Sequence, residues 1–511
     1  MKKSQVLIIF FKHLIHFEIH TMSFDSNSKY KLIEVLLFIL FFFSLIYFYN
    51  GSGWNSSARM SQVYRIVEDG KLDINPFIKE TQDISIKDGV IYPNKAPGSS
   101  FLGVIPYFFI YHFEKLLNLN SQNDVNIVLL NAYLVKVFAN DLLCALAVIF
   151  LFRICLFFTQ NIFPALLATT VYCLGTMIWS YSSIYLGHVQ ATSFYLLGFY
   201  YFLKIYSVSK EEFERKDLFL ASFLLSISFL IDFFMIYLIL PVFFYLVLKI
   251  LKRKEYMILM LLGCIVPLLC LMFYNYSCFG GFFEIPMKYN NPIFSYDGAG
   301  TFFGSFVKPR WAVFKELLFG EFYGFFSFNP ALFFGVGGII SLFFDKKYRV
   351  LSFIITVSII LSFLSNISFI GWWGGSTAGP RYLIGIIPLF IIAASKLLKL
   401  RLVLFSFILV AGISIYFNLA IVATNPMPGK LSSLKTKIIP DFQQWQLSQN
   451  RSYPRLLDSS LSARHLDNSS FNLGEQCGLS KSISLFPLFL FQFILLTSIL
   501  IAMKSIRRKG N

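Results

Sequence analysis

Apolar runs of about twenty residues recur from near the start of this chain to near its end, and a water-soluble fold has no place for so many. That length is what an α-helix needs to cross roughly 30 Å of hydrocarbon. The candidate spans are Leu32 to Tyr49, Val128 to Phe152, Ile162 to Tyr181 and Val189 to Tyr206. Leu218 to Leu248 is too long for one helix and splits in two at Asp232. Then come Tyr256 to Tyr274, Phe325 to Phe344, Val350 to Ile370, Tyr382 to Ala394, Leu402 to Ala423 and Ile483 to Met503. Composition agrees: 14% of residues are charged and 56% hydrophobic, where a soluble domain carries about a quarter charged. The expected fold class is an all-α integral membrane protein with about 12 transmembrane helices.

The charge pattern tests the count. With the N-terminus inside and the spans alternating, the inner segments hold Lys29 and Lys31; Arg153; Lys210, Arg215 and Lys216; and Lys249, Lys252, Arg253 and Lys254. They also hold Lys346, Lys347 and Arg349; Lys396, Lys399 and Arg401; and Lys504, Arg507, Arg508 and Lys509. The short outer turns, Ser182 to His188 and around Asp232, hold no Lys or Arg, which is the positive-inside pattern. It accounts for the net charge of +17 without nucleic acid. Both termini are expected to be cytoplasmic.

Phe101 to Leu117 is also apolar, but Pro106, His112, Glu114 and Lys115 interrupt it. It is expected as a helix lying in the membrane interface. The expected organisation is then a cytoplasmic N-terminus over 1–31, with Met22 an alternative start. A transmembrane domain over 32–423 carries external loops at 50–127 and 275–324. An external segment over 424–482 and a last span with a basic tail over 483–511 complete the chain. Of seven Cys, only Cys278 and Cys477 fall in external loops, which leaves one bridge open. No zinc-ligand spacing is present.

The chemistry-bearing residues crowd into the first external loop. It carries Trp54 and Arg59, then Asp73, Thr81-Gln-Asp83, Asp88-Gly, and Tyr92-Pro-Asn94-Lys95-Ala-Pro97-Gly98. Pro and Gly put Lys95 in a turn directly before the interfacial helix, at the depth of lipid headgroups. From the residues alone, Lys95 is either a solvated lysine or a phosphate contact.

These motifs resemble the first external loop of the lipid-carrier-dependent glycosyltransferases of the GT-C fold: protein mannosyltransferases, the aminoarabinose transferase of lipid A modification and RgtA-like bacterial transferases. Gly175-Thr176, Trp179-Ser-Tyr181, His188, Tyr274-Asn275, and Trp372-Trp373-Gly-Gly followed by Gly379-Pro380-Arg381-Tyr382 continue the resemblance in order, over roughly Leu32 to Ala423. The resemblance implies an enzyme of the outer face of a bacterial-type inner membrane, acting in cell-envelope or lipopolysaccharide biosynthesis. It would move a hexose or pentose from a polyprenyl-phosphate carrier to a glycolipid, polysaccharide or protein acceptor, with inversion. Arg59, Tyr92, Lys95 and Arg381 are the implied substrate-binding residues. No metal ligand is assigned, and a divalent cation is left open.

One departure matters. Relatives often carry a carboxylate about three residues before the juxtamembrane Arg, and here the stretch is Asn55-Ser56-Ser57. Glycosyl transfer to a hydroxyl needs a base. Asp83 is the favoured candidate over Asp73 and Asp88, and His188, where relatives carry a second acidic residue, is the other catalytic candidate. An O-antigen polymerase or ligase, and a non-catalytic lipid-linked-glycan transporter or assembly protein, are the rival classes. The polymerase would carry its large loop late in the chain; the transporter would show repeated halves and helices broken at mid-membrane.

Overall fold

The computed structural model describes residues 30–51, 53–119, 124–208, 213–294, 305–320, 323–375, 377–424 and 470–510. Lys29, Lys210, Met22 with the rest of the expected N-terminal segment before Tyr30, and most of the expected 424–482 segment lie outside these residues.

The chain opens with α1 (Lys31–Ile46), short strand β1 (Phe48–Asn50) and α2 (Trp54–Asp69). A hairpin follows, β2 (Ile84–Lys87) and β3 (Val90–Pro93), then α3 (Gly98–Leu116). The hairpin was not expected, although its turn carries a signal in the sequence. Asp88 and Gly89 both take positive φ, 51° and 78°, and Asp-Gly is the pair that a two-residue hairpin turn favours. The stretch expected as an interfacial helix is helical, within α3. Ser99, Ser100, Gly103, Tyr107 and Tyr111 are buried, while Ile105, Phe108, Phe109, Phe113 and Leu116 are exposed on the other side.

Next come α4 (Val125–Lys136), one π turn (Val137–Asp141) and α5 (Leu142–Thr159), together one long rod. The π turn adds a residue to the helical repeat, so Lys136 and Asp141 meet on one side. Their ion pair is 2.7 Å long and fully buried. Lys136 also donates to the carbonyls of Leu45, at 3.0 Å, and Phe48, at 2.8 Å. It thereby supplies donors to the end of α1, whose last carbonyls have no intrahelical partner.

The expected third span breaks at Gly175 into α6 (Ile162–Leu174) and α7 (Met177–Ser182), the latter capped by Thr176. Helix α8 (His188–Ser207) is buried on nearly every side, so Gln190, Thr192 and Ser193 sit in protein rather than lipid. Helices α9 (Arg215–Ile231) and α10 (Ile236–Ile250) flank Asp232 as expected, and α11 (Lys254–Phe279) follows. Beyond α12 (Trp311–Phe319), the expected eighth span is interrupted at Asn329-Pro330 into α13 (Phe325–Phe328) and α14 (Phe333–Phe344). A residue before proline is driven out of the helical region, and Asn329 has φ −136°, ψ 63°. The bundle continues with α15 (Arg349–Ser368), a 3-10 turn (Arg381–Ile386) running into α16 (Ile387–Leu397), and α17 (Arg401–Thr424). Strand β4 (Ser470–Asn472) returns to pair antiparallel with β1, and α18 (Leu473–Gln476) and α19 (Phe486–Gly510) close the chain, α19 lying against α1.

The protein is a multi-pass, all-α membrane protein, with two short strand pairs added. Among the described residues six helices are long and apolar enough to cross a membrane: Asn126–Thr159, Phe233–Ile250, Lys254–Phe279, Arg349–Ser368, Arg401–Ala423 and Ile483–Ile506. The other expected spans are also helical, but they are shorter, broken by Gly or Pro, or, like α8, polar because protein surrounds them. Of the aromatic residues near helix boundaries, Phe283 is exposed, whereas Trp372 and Phe325 are core residues. Cys278 and Cys477 are free thiols, the first buried and the second exposed.

Candidate functional site: a buried cluster of cations

Four segments far apart in sequence meet at one end of the bundle. The first is α2, which carries Arg59 on its buried side. Asn55 Oδ1 accepts from Arg59 Nε at 2.9 Å. Arg59 also reaches the Ala96 carbonyl at 3.4 Å, next to Lys95. The second segment is the turn between β3 and α3. It approaches α9 so closely that a Cβ on Gly98 would stand 2.7 Å from the carbonyl carbon of Leu230, two residues before Asp232. Lys95 forms an ion pair with Asp83 at 3.2 Å. Thr81 locks that strand end by donating to the Trp54 carbonyl at 2.7 Å and accepting from the Asp83 N–H at 3.0 Å.

The third segment joins the start of α8 to the α9–α10 turn. His188 Nδ1 lies 2.6 Å from Asp232 Oδ2. The other carboxylate oxygen of Asp232 accepts from the Phe234 N–H at 3.0 Å and so caps the next turn. The fourth is Arg381, whose guanidinium lies against the Tyr382 ring, 5.1 Å from its centroid. The Tyr382 ring meets His188 edge-on at 5.7 Å and stacks on Phe234 at 4.7 Å, which ties this segment to the third.

The electrostatics record the crowding. The Lys95 ammonium is pushed down to about 8, mainly by burial, with Arg381 and Arg59 adding to the effect and Asp83 opposing it. Burial, with Arg381, pulls Arg59 down to about 10 against Asp232, Tyr185 and Asp83. Arg381 is instead held above its ordinary value, against burial, by Tyr382, Asp83 and Tyr181, so the strain falls on Lys95 and Arg59, where an anion would relieve it. Two buried polar atoms of the cluster, Arg381 Nε and His188 Nε2, have no hydrogen-bond partner among the described residues.

The candidate residues read from the sequence divide accordingly. Arg59, Lys95, Arg381, Asp83 and His188 converge. Tyr92 does not join them: its ring packs on Phe279 at 5.4 Å, in a side cluster with Tyr274 and Cys278. Of the weaker carboxylates, Asp73 pairs with Arg65 at 3.3 Å and Asp88 is a largely exposed turn residue. Asp232, which breaks an apolar run and is from the sequence either a paired ionisable group or an outer-turn residue, lies in the turn between α9 and α10 and is paired with His188. Among the described residues no group of three His, Cys, Asp or Glu side chains is arranged to hold a metal ion.

No family model matches the chain, and no curated protein matches it. Among solved structures it is similar to ArnT from Cupriavidus metallidurans. The apo state gives 13% identity and a TM-score of 0.44; the state bound to undecaprenyl phosphate gives 13% and 0.49. Each match covers 78% of this chain, and 63% and 65% of the two ArnT chains. The chain thus spans less than two thirds of the length of the solved chains it matches.

Proposed function

We propose that this protein is a membrane glycosyltransferase of GT-C-like architecture that transfers a sugar from a polyprenyl-phosphate carrier to an envelope acceptor. The observation that carries the proposal is the convergence of Arg59 and Lys95, from the first external loop, with Arg381, from far along the chain, on a site with too few carboxylates to neutralise them. A lipid phosphate supplies the missing negative charge. The ordered motifs of Trp54 to Tyr382 support the same reading. The transmembrane domain is taken as 32–423, with the cluster at the outer face and both termini cytoplasmic, because basic residues gather at the opposite end of the helices.

The carrier's phosphate would lie against Lys95 and Arg381, with its hydrocarbon tail along the lipid-facing helices. Arg59, held by Asn55, backs the turn that carries Lys95. The acceptor oxygen forms its bond to the anomeric carbon as the bond from that carbon to the phosphate oxygen breaks. A single displacement of this kind inverts the anomeric centre. The leaving phosphate takes the electron pair, and cations fixed in advance around it stabilise the charge as it develops.

The test uses purified full-length protein in lipid nanodiscs, undecaprenyl phosphate as the binding probe and radiolabelled polyprenyl-phosphate hexoses and pentoses as donors. The unaltered protein is expected to release or transfer label. Lys95→Ala is expected to lower turnover by at least about 100-fold with membrane insertion intact. Equal turnover by Lys95→Ala would remove Lys95 from the phosphate site. Lipid movement without cleavage would replace the enzyme by a flippase.

A further inference from the structure

The acceptor's proton must go to a base, and Asp83 and His188, the two candidates, are held very differently. Asp83 is the counter-ion of Lys95, the cation that the proposed function already uses. His188 stands apart from that pair. Its Nδ1 faces Asp232 Oδ2 at 2.6 Å, and a carboxylate beside one ring nitrogen fixes the proton on that nitrogen. Nε2 is then left as a bare lone pair. It is buried and has no partner among the described residues, although a buried imidazole nitrogen normally finds one. Nor can the ring simply turn away. Tyr382 lies against it, and the Phe234 N–H anchors the Asp232 carboxylate. A Cβ on the adjacent Gly187 would stand 3.1 Å from the Arg59 guanidinium carbon, and the charged groups acting on the ring are Asp232, Arg381 and Arg59, so the imidazole belongs to the cluster in which the phosphate is placed.

We propose that His188 Nε2 is the general base of the transfer and that Asp232 is its positioning residue; this rests on the glycosyltransferase reading above. The acceptor hydroxyl gives its proton to Nε2 as its oxygen bonds to the anomeric carbon and the phosphate departs with the electron pair. Asp232 holds the required tautomer and stabilises the imidazolium that forms. The proton returns to water when product leaves. Asp83 keeps its place as the partner of Lys95. The sequence's missing carboxylate near Asn55 is thereby made good by a histidine from another segment, not by the nearest aspartate.

Four variants of the full chain in nanodiscs decide this: His188→Gln, His188→Gly, Asp232→Asn and Asp83→Asn. Each is assayed for undecaprenyl phosphate binding and for turnover of the labelled donor that the unaltered protein uses. His188→Gln is expected to lose about 100-fold or more in kcat, with affinity for undecaprenyl phosphate within about threefold. Retained binding also shows that the variant is folded. The acid limb of the kcat–pH profile should vanish in His188→Gln. It should move to lower pH in Asp232→Asn, where the carboxylate favouring the protonated ring is gone. Added imidazole should restore turnover to His188→Gly by about tenfold or more, which a purely structural histidine would not allow.

Unchanged kcat in His188→Gln overturns the assignment and leaves the transferase standing. So does an acid limb that survives in His188→Gln but disappears in Asp83→Asn. If the unaltered protein neither binds undecaprenyl phosphate nor turns over any donor, the underlying function falls and the base with it.

Discussion

The two ends of the helix bundle treat their cations in opposite ways. At the end where α8 leaves and α9 enters, four of the more buried cations each have a partner. Arg153 grips Glu34 through two hydrogen bonds of 2.7 and 2.8 Å. Lys204 meets Asp217 at 3.0 Å and Lys396 meets Asp345 at 2.6 Å, while Lys249 donates to the carbonyls of Ile205 and Val208 that end α8. At the other end Arg59, Lys95 and Arg381 act on a cluster that offers only the carboxylates of Asp83, paired with Lys95, and Asp232, paired with His188. Matched charges hold helix ends together and bias orientation. Unmatched buried charges are costly unless a ligand completes them, so a chain keeps them where a ligand binds.

The sharpest way to break this contrast is to remove one cation from each end. Arg381→Ala is expected to cost about 1000-fold in turnover, near 4 kcal/mol of transition-state stabilisation, with thermal stability little changed. Lys396→Ala is expected to leave turnover within about threefold and to lower stability by at most about 1 kcal/mol, because its pair is part-exposed. Equal losses from the two would erase the distinction. Lys136 probes the matched class at its most buried. Lys136→Met strands Asp141 and unties the end of α1, at a cost of about 3 kcal/mol in a detergent or denaturant melt. The double change with Asp141→Leu should recover most of that, whereas no second substitution should rescue Arg381→Ala.

A pH series sharpens the contrast further. The phosphodiester of a lipid-linked sugar keeps one negative charge across the accessible range, so the protein alone sets the pH dependence of binding. With the free-site Lys95 pKa near 8, affinity should fall as pH rises above it, by up to about tenfold per unit. The stability of the ligand-free protein moves the other way. Between about 8 and the ordinary lysine value the unfolded chain binds more protons, so this group's contribution to stability rises with pH. A Lys95→Met protein should lose both trends.

Much of the fold was readable because lipid imposes it: run length and charge asymmetry located nearly every helix. What the sequence hid was where protein replaces lipid. Helix α8 looks like a modest span because its Gln190, Thr192 and Ser193 are polar, yet protein encloses it on nearly every side. The pairing of β1 with β4 joins positions more than four hundred residues apart, and three-residue strands carry no periodic signal. In the site, Arg59, Lys95 and Asp83 were legible because they share one loop. The His188–Asp232 pair was not, since both residues could be named singly but only the packing of α8 on α9 brings them together.

The smallest effect separates the backbone's part from the side chains'. Gly374 and Gly375 are neighbours, and both hold positive φ, 69° and 80°. A side chain at either position is strained, by about 1 kcal/mol. Their surroundings differ. A Cβ on Gly375 meets nothing within 4 Å, whereas one on Gly374 would stand 2.8 Å from Arg381 Cγ and 2.9 Å from its Nε. Gly375→Ala should therefore register in a melt and hardly at all in turnover. Gly374→Ala should add to the same strain a displaced guanidinium, read as a KM for the lipid donor raised about threefold to tenfold, because a shift of a few tenths of an ångström weakens a charged contact without abolishing it. Equal KM values for the two alanine variants would mean that the position of Arg381 does not matter to the donor, and the unmatched end of the bundle would lose one of its three cations as a ligand-binding group.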